Sequence, residues 1–413
     1  MPGPAIIRLL EALEQSKEAL LKMKLRLIIL ALGNFVVGTG SLVIAGILPK
    51  VAQDLKVSIT AAGQLVTIYA LTYAVAAPLL AAFTGKIGRR LLLILALSTV
   101  VAATVIAAIS PTFEIVFVAR MLAAAGGALY TPTSSVVAVS IAPPEERGRA
   151  LALVFAGLPV ATVLGLPFGT FIGSNFGWRV AFWLVALIGI IGIVAILVSI
   201  KSLAPTPPIS LRQWAGLLKQ RQLLVALSVT FWQYAAQFLA FTYIAPLLQQ
   251  NTHLDGNGIS LMLFVFGLAG VIGNSLGGVA ADRWNLTRAL GIILSGLALT
   301  LFTLSPATTS LIGAGINLFL WGLSGFVFNP VQQTRLIKFV PEAPGLMLSL
   351  NSSMLYLGNA AGAGLGGIVV SGLGVGAVGW LGGLITLIAL AALLLSAVIR
   401  DQPSLTSVPS VAD

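Results

Sequence analysis

Runs of about twenty apolar residues, each closed by a short polar or basic stretch, recur along almost the whole chain. Twenty residues of α-helix rise about 30 Å, the thickness of the hydrocarbon in a bilayer. The pattern predicts twelve spanning helices, over 27–48, 60–83, 91–110, 115–140, 150–173, 179–200, 222–250, 258–280, 289–305, 310–337, 346–370 and 377–399. Residues 5–24 follow a different pattern. Ile6, Leu9, Leu10, Leu13, Leu20 and Leu21 share one helical face, and Glu18 and Lys22 stand at i,i+4 among other charges. This segment reads as an amphipathic helix lying along the membrane surface, not as a secretory leader.

Composition excludes a water-facing globule. The 413 residues are 58% hydrophobic and only 8% charged, with a mean hydropathy of +1.03. There is no cysteine, so disulfides and thiolate chemistry are excluded. The net charge of +11 raises the question of nucleic acid, but the basic residues are distributed as a topology signal. With the first span starting inside, 19 of the 23 lysines and arginines fall in cytoplasmic segments. Both termini are therefore expected in the cytoplasm and the chain in the cytoplasmic membrane. No basic, aromatic-interleaved patch is present, so the expected partners are lipid and a small solute, not nucleic acid. The chain is expected to act as a monomer, without cofactor or metal.

The halves repeat. The proline-rich stretch 201–220, "KSLAPTPPISLRQWAGLLKQ", divides the spans six and six. At a fixed offset of 197 residues, Gly85 and Lys86 align with Asp282 and Arg283, and Gly165 and Gly169 align with Gly362 and Gly366. The same offset sets "GRALAL" (148–153) against "GLMLSL" (345–350). Duplicated six-helix halves imply a pseudo-two-fold axis along the membrane normal and a cavity between the halves. The domains expected are 1–26 (amphipathic segment), 27–200 (first bundle), 201–220 (linker), 221–400 (second bundle) and 401–413 (tail). The fold class is an all-α membrane protein of two pseudo-symmetric bundles.

Several stretches resemble motifs of the major facilitator superfamily. "GKIGRRLLL" (85–93) is similar to its first cytoplasmic loop motif, "ARMLAAAGGALYTP" (119–132) to its helix 4 motif and "GLPVATVLGLPFGTFIG" (157–173) to its helix 5 motif. "FTYIAPLL" (241–248) and "FGLAGVIGNSLGGVAADR" (266–283) resemble second-half signatures of the drug:proton antiporter branch. That branch includes sugar-efflux, purine-efflux and multidrug-efflux permeases. The resemblance implies the twelve-helix fold and alternating-access export of a small organic solute. It also implies a cytoplasmic gate carried by Gly85, Lys86, Gly88, Arg89 and Arg90, with Asp282, Arg283 and Arg288 as repeat partners. Their charges would hold the halves together when the outer side is open.

Two positions depart from the resemblance. Ser41 stands where many members of the branch carry an acid, and Gly85 stands where the loop motif has an aspartate. Independently of any family, none of the twelve acidic residues lies well inside a predicted span, and the one histidine, His253, is in an outer loop. A membrane-embedded carboxylate or histidine is the usual proton carrier, and arginine stays charged throughout. Three readings follow: a facilitator, coupling through an acid at a span end (Asp54, Glu114 or Asp282), or exchange of one solute for another. A membrane sensor that kept the fold and lost transport is the competing class.

Arg120 stands as the charge within a span, and its expected partners are carbonyls and amides such as Asn34, bracing helices 1 and 4. Its alternative role is binding an anionic or carbonyl-bearing substrate. Polar and aromatic residues at helical spacing mark candidate cavity stripes. These are Asn34, Gly38 and Ser41 on helix 1, Tyr69 and Tyr73 on helix 2, and Gln233, Gln237 and Phe241 with Trp232 on helix 7. Helix 10 adds Asn317, Trp321 and Phe328, and helix 11 adds Ser352, Tyr356 and Asn359. Amides facing lipid lose hydrogen bonds, so these should face the protein interior, as substrate contacts or as interhelical glue. As a set they suit a neutral, mildly amphipathic solute such as a drug, sugar or nucleoside. Gly157, Gly165, Gly169 and Gly173 give helix 5 a smooth face, and Pro159 and Pro167 let it bend, which suits one half rocking against the other. Two enzyme-like strings, "GNSLG" (273–277) and "GAGLGG" (362–367), lie inside spans without the strand-turn-helix context their chemistry needs, so no enzyme is expected.

Overall fold

A computed structural model describes residues 4–200, 221–340 and 344–400; the linker 201–220 and tail 401–413 expected above lie outside the described residues. The described backbone is helical. In chain order the helices are α1 (Pro4–Asp54), α2 (Ile59–Phe83), α3 (Arg89–Ile109), α4 (Phe113–Ile141), α5 (Arg147–Asn175) and α6 (Trp178–Ser199). The second set is α7 (Arg221–Phe241, resuming as Ile244–Asn251), α8 (Gly256–Arg283), α9 (Leu286–Phe302), α10 (Leu311–Ile337), α11 (Pro344–Leu373) and α12 (Ala377–Arg400). Eleven of these are long and apolar enough to cross a membrane. At seventeen residues α9 rises about 26 Å, and the turn of helix Leu304–Ala307 that follows completes the twelfth crossing.

The amphipathic segment does not form a separate surface helix. It runs without a break into the first span as one helix of 51 residues. No glycine or proline stands between Ala5 and Gly33 to end it, and the i,i+4 pair of Glu18 and Lys22 forms at 2.5 Å. The lysine holds the Glu18 carboxyl below its ordinary value.

Two spans are broken where prolines require it. A proline cannot donate to the carbonyl four residues earlier, and its ring crowds that carbonyl. Helix α7 breaks at Thr242–Tyr243, and Thr242 is four residues before Pro246. Helix α5 is interrupted at Ala156, next to Phe155, four residues before Pro159. It then runs through a π-helical turn at Ala161–Gly165, which contains Val163, four residues before Pro167. The continuous helices expected over 222–250 and 150–173 are corrected accordingly.

Backbone details repeat at the same 197-residue offset. Among the described residues, the non-glycine positions with positive φ are Lys56 (53°) and His253 (54°), and the glycines are Gly177 (97°) and Gly374 (86°). Each pair is one offset apart. So are the N-cap residues of α2 and α8: Ser58 accepts from the Ala61 amide at 3.0 Å, and Asp255 from the Gly258 amide at 2.8 Å. Helix packing repeats too. A methyl on Gly165 or Gly169 would press into Thr39 or Val43 of α1, and one on Gly362 or Gly366 into Ala235 or Leu239 of α7.

The core shows how the halves meet. At the end of the bundle carrying Asp54, Asn175 and Asn257, one apolar cluster runs through both halves, from Val43 and Ile47 to Leu263, Leu304 and Val378. At the opposite end, nearest the linker, the clusters are separate for each half. Hydrogen bonds between halves follow suit. Thr60 Oγ1 donates to Gly367 O (3.4 Å), Asn175 Nδ2 to Asn257 Oδ1 (2.8 Å) and Ser260 Oγ to Pro167 O (2.7 Å). All three belong to the far side. The molecule is closed there and parted on the linker side.

Candidate functional site

The middle of the bundle, where the closed and parted regions meet, is built from α1, α2 and α4 on one side and α7, α10 and α11 on the other. Arg120 on α4 is 2% exposed. Its Nε donates to Leu65 O (3.3 Å), Nη1 to Gly40 O (2.5 Å) and Nη2 to Ser41 O (3.1 Å). Its Cζ lies 4.3 Å from the centre of the Tyr69 ring. Carbonyl dipoles and an aromatic face thus stand in for the counter-ion that burial demands. The brace joins α4 to α1 and α2. Asn34 is not a partner. Its Nδ2 donates to Ser134 Oγ and Val154 O, each at 3.1 Å, inside the first bundle.

That placement corrects the expected stripe on α1. Asn34 is fully buried among its own half, and Gly38 is packed against Ala161 and Leu158. Ser41 alone of the three is half-buried, beside Tyr69. Hydropathy identified these as interior positions, but spacing could not tell an interior facing α4 and α5 from one facing the other half.

Tyrosines cross the midline. Tyr69 and Tyr73 are one turn apart on α2, with centroids 6.5 Å apart. Tyr73 stacks on Tyr356 of α11, with centroids 3.6 Å apart and planes 18° apart. Tyr234 of α7 donates to Asn329 Oδ1 at 2.9 Å and meets Phe328 edge-on.

On the second half, α7 and α10 face each other register by register. Phe241 packs on Trp321 and Phe266, Gln237 lies against Gly325, and Gln233 Nε2 donates to Gln237 Oε1 at 2.8 Å. Asn317 turns away to α9, donating to Thr300 O and Thr303 Oγ1, each at 3.0 Å. Trp232 packs into the second half's own apolar cluster and against Phe231. Asn359 is buried on α11. Gln233 Oε1, Asn359 Oδ1, Trp321 Nε1 and Thr67 Oγ1 are buried with no protein partner, and so retain hydrogen-bonding capacity.

Residues outside the sequence expectation complete this half. Gln332 Nε2 donates to Ala226 O (2.9 Å) and Thr230 Oγ1 (3.1 Å), and Thr230 donates to Asn351 Oδ1 (2.7 Å). Amides within the apolar spans were the available signal. Arg335, counted above among cytoplasmic basic residues, is fully buried near the end of α10. It donates to Ser396 Oγ at 2.5 Å and lies over the Phe339 ring. Arg120 is therefore not the one buried charge.

The loop motifs sit at the parted end. Gly85 is buried and Lys86 exposed, Gly88 caps α3, and Arg90 Nη2 donates to Leu197 O at 2.5 Å in its own half. Asp282, Arg283 and Arg288 are exposed. The α5 glycines meet α1, with Gly157 on the Ala31 carbonyl, and do not form the seam between halves. That seam is made by the π-helical turn, whose Thr162 carbonyl and Val163 backbone lie against Gly267 of α8. "GNSLG" and "GAGLGG" are uninterrupted helix within α8 and α11.

Two pseudo-symmetric six-helix bundles with a polar, aromatic middle, closed at one end and parted at the other, define a two-half membrane transporter fold. Residues 30–343 and 226–412 match the family model of the Major Facilitator Superfamily, and the chain belongs to that family. The uncharacterized MFS-type transporter YbcL of Bacillus subtilis (strain 168) is 34% identical over 381 residues, 92% of this chain and 96% of its own. The inner membrane transport protein YdhP of Escherichia coli (strain K12) is 34% identical over 388 residues, 93% and 98%. The fold is shared with a bacterial homolog to the human lysosomal transporter Spinster, solved in an inward-facing and occupied conformation. The TM-score is 0.73 at 15% identity, over 92% of this chain and 98% of that one.

Proposed function

We propose that the protein moves a small, uncharged or mildly amphipathic organic solute across the cytoplasmic membrane by alternating access, without a proton-carrying residue between its halves. Transport itself follows from the family. The observation that supports the rest is the chemistry of the midline: tyrosines, amides and a saturated arginine meet there, and no described acid does. The relative named as an inner membrane transport protein supports the location. The distribution of basic residues supports cytoplasmic termini, which makes the linker side the cytoplasmic side and the described state inward-open.

The end-of-span acids do not favour coupling. Asp54 accepts from Trp178 Nε1 (2.9 Å) and pairs with Arg179, which also donates to Ser110 O (2.8 Å), all within the first half. Protonating it would loosen that half without bearing on the other. Glu114 and Asp282 are solvent-exposed at the helix ends. A facilitator or exchanger fits this arrangement, and its direction in the cell, export included, follows the solute gradients. Entrance counterflow in proteoliposomes tests it. Flux of a carried solute should be unchanged by a protonophore and by neutralising Asp54, Glu114 and Asp282 together. Solute-dependent proton movement would overturn the uncoupled reading, and binding without flux would favour a sensor.

A further inference from the structure

We infer that the carried solute presents a planar, uncharged ring, and that Tyr73 and Tyr356 select it by taking it between them. The inference rests on the transport reading above and goes on to name the substrate class. Among the described residues, this is the one aromatic contact that joins the two halves. It sits at a particular depth. From the far end inward, α2 meets α11 through Thr60 and Gln64 against Gly367, then Thr67 against Gly364, then Tyr73 against Tyr356. One turn further toward the linker side, Ser352 is exposed. The tyrosine pair is thus where contact between the halves ends, and a solute in the linker-side opening reaches it first. Tyr356 is half-buried and Tyr73 is backed by the first bundle, so one ring faces the opening and the other is fixed.

The geometry is selective. Near-parallel rings 3.6 Å apart leave no room for anything now, but alternation must separate α2 from α11 at this depth. Roughly one further ring thickness of separation admits a flat molecule whose two faces replace the lost stack. A puckered saturated ring is thicker and offers no π face. The rim supplies hydroxyls: Tyr69, Ser41 and Thr131 lie beside the pair on the first half. Arg120 has its three nitrogens on carbonyls and its face on Tyr69. With no carboxylate at hand for a cation and the arginine already satisfied, an uncharged ring with a hydrogen-bonding edge fits best.

The test uses matched neutral probes on the purified full chain: benzamide against cyclohexanecarboxamide, and 2-naphthamide against its fully saturated counterpart. Each pair shares an amide edge and differs in planarity. Affinities from ligand-dependent melting should favour the planar member at least ten-fold. Tyr73→Phe and Tyr356→Phe should keep that preference, Tyr356→Leu should abolish it, and Tyr356→Trp, with a larger face, should increase it. The Phe and Trp variants retain the packing volume and decide the matter even where the Leu variant does not fold. Equal affinity within pairs, a preference that survives Tyr356→Leu, or no binding by any probe overturns the inference. Counterflow of the same probes separates the two readings. Flux without planar preference sinks ring selection alone, whereas planar binding without flux of any solute sinks transport and leaves ring selection standing.

Discussion

Arg120 concentrates several helices on one side chain. Replacing it with alanine leaves the Gly40, Ser41 and Leu65 carbonyls without their donor in a dry interior, and each such loss costs about 1–3 kcal/mol. Arg120→Ala should therefore lower the melting temperature of the detergent-purified protein and reduce transport together. Arg120→Lys should fall between, because an ammonium cannot serve three carbonyls on two helices in a fixed fork. A variant that melts like the parent would show that the carbonyl brace contributes nothing. At this scale the sequence identified Arg120 readily, since a charge in an apolar run is conspicuous. It did not identify the partners. Asn34 was assigned to Arg120 because both are polar and membrane-embedded, yet Asn34 points to Ser134 and Val154. Polarity shows that a residue must be satisfied inside the protein, and only the packing of neighbouring helices decides by what. Arg335 was missed for a related reason: a base near a span end reads as a snorkelling anchor unless another helix covers it.

At the scale of elements, the informative feature is the π-helical turn of α5. It carries one more residue per hydrogen-bonded turn than an α-helix. That extra residue sets the register of Gly165 and Gly169 on α1 while Thr162 and Val163 meet Gly267 on α8. Deleting Val163 should convert the turn to α-helix and rotate everything beyond it by about 100°. Gly165 and Gly169 would then leave Thr39 and Val43, and side chains would take their place against α1. The expected result is loss of monodisperse protein on size-exclusion chromatography. Normal yield and transport would mean that the turn can be absorbed elsewhere. Pro167→Ala restores an amide donor without changing length, so it should be tolerated for folding and slow counterflow if the bend matters to movement. The prolines that cause these breaks were visible in the sequence, as was the glycine face. Which neighbour that face meets was not. Small residues permit close approach to any helix, and the seam with the second half came instead from exposed backbone in the π turn.

At the scale of the molecule, the repeat was the most legible property, because one offset recovered several motifs. Its deepest traces were nonetheless invisible in residue identities. Lys56 and His253 share no chemistry, but both adopt the left-handed backbone at matching turns, and Ser58 and Asp255 then cap matching helices. A turn can be kept by geometry while its side chains diverge. What the sequence could not provide is the conformation, since both ends of a rocking pair of bundles carry similar apolar faces. Here the shared core at the far end and the separate cores at the linker end make a state closed on one side. Alternating access requires that closure to come apart in each cycle. The absence of native cysteine makes this directly measurable. Asn175 and Asn257 are in contact across the closed end, at 2.8 Å, so Asn175→Cys/Asn257→Cys should cross-link readily with a short bifunctional thiol reagent. The cross-linked protein should lose counterflow, recover it on reduction, and stay open to labelling at a cysteine placed at Gly148, which has no neighbour within 4 Å of an added Cβ on the parted side. Either single variant, treated identically, should transport at the parental rate. Full transport through the intact cross-link would mean that solute crosses without the far end ever opening, and the two-half rocking mechanism would not hold for this protein.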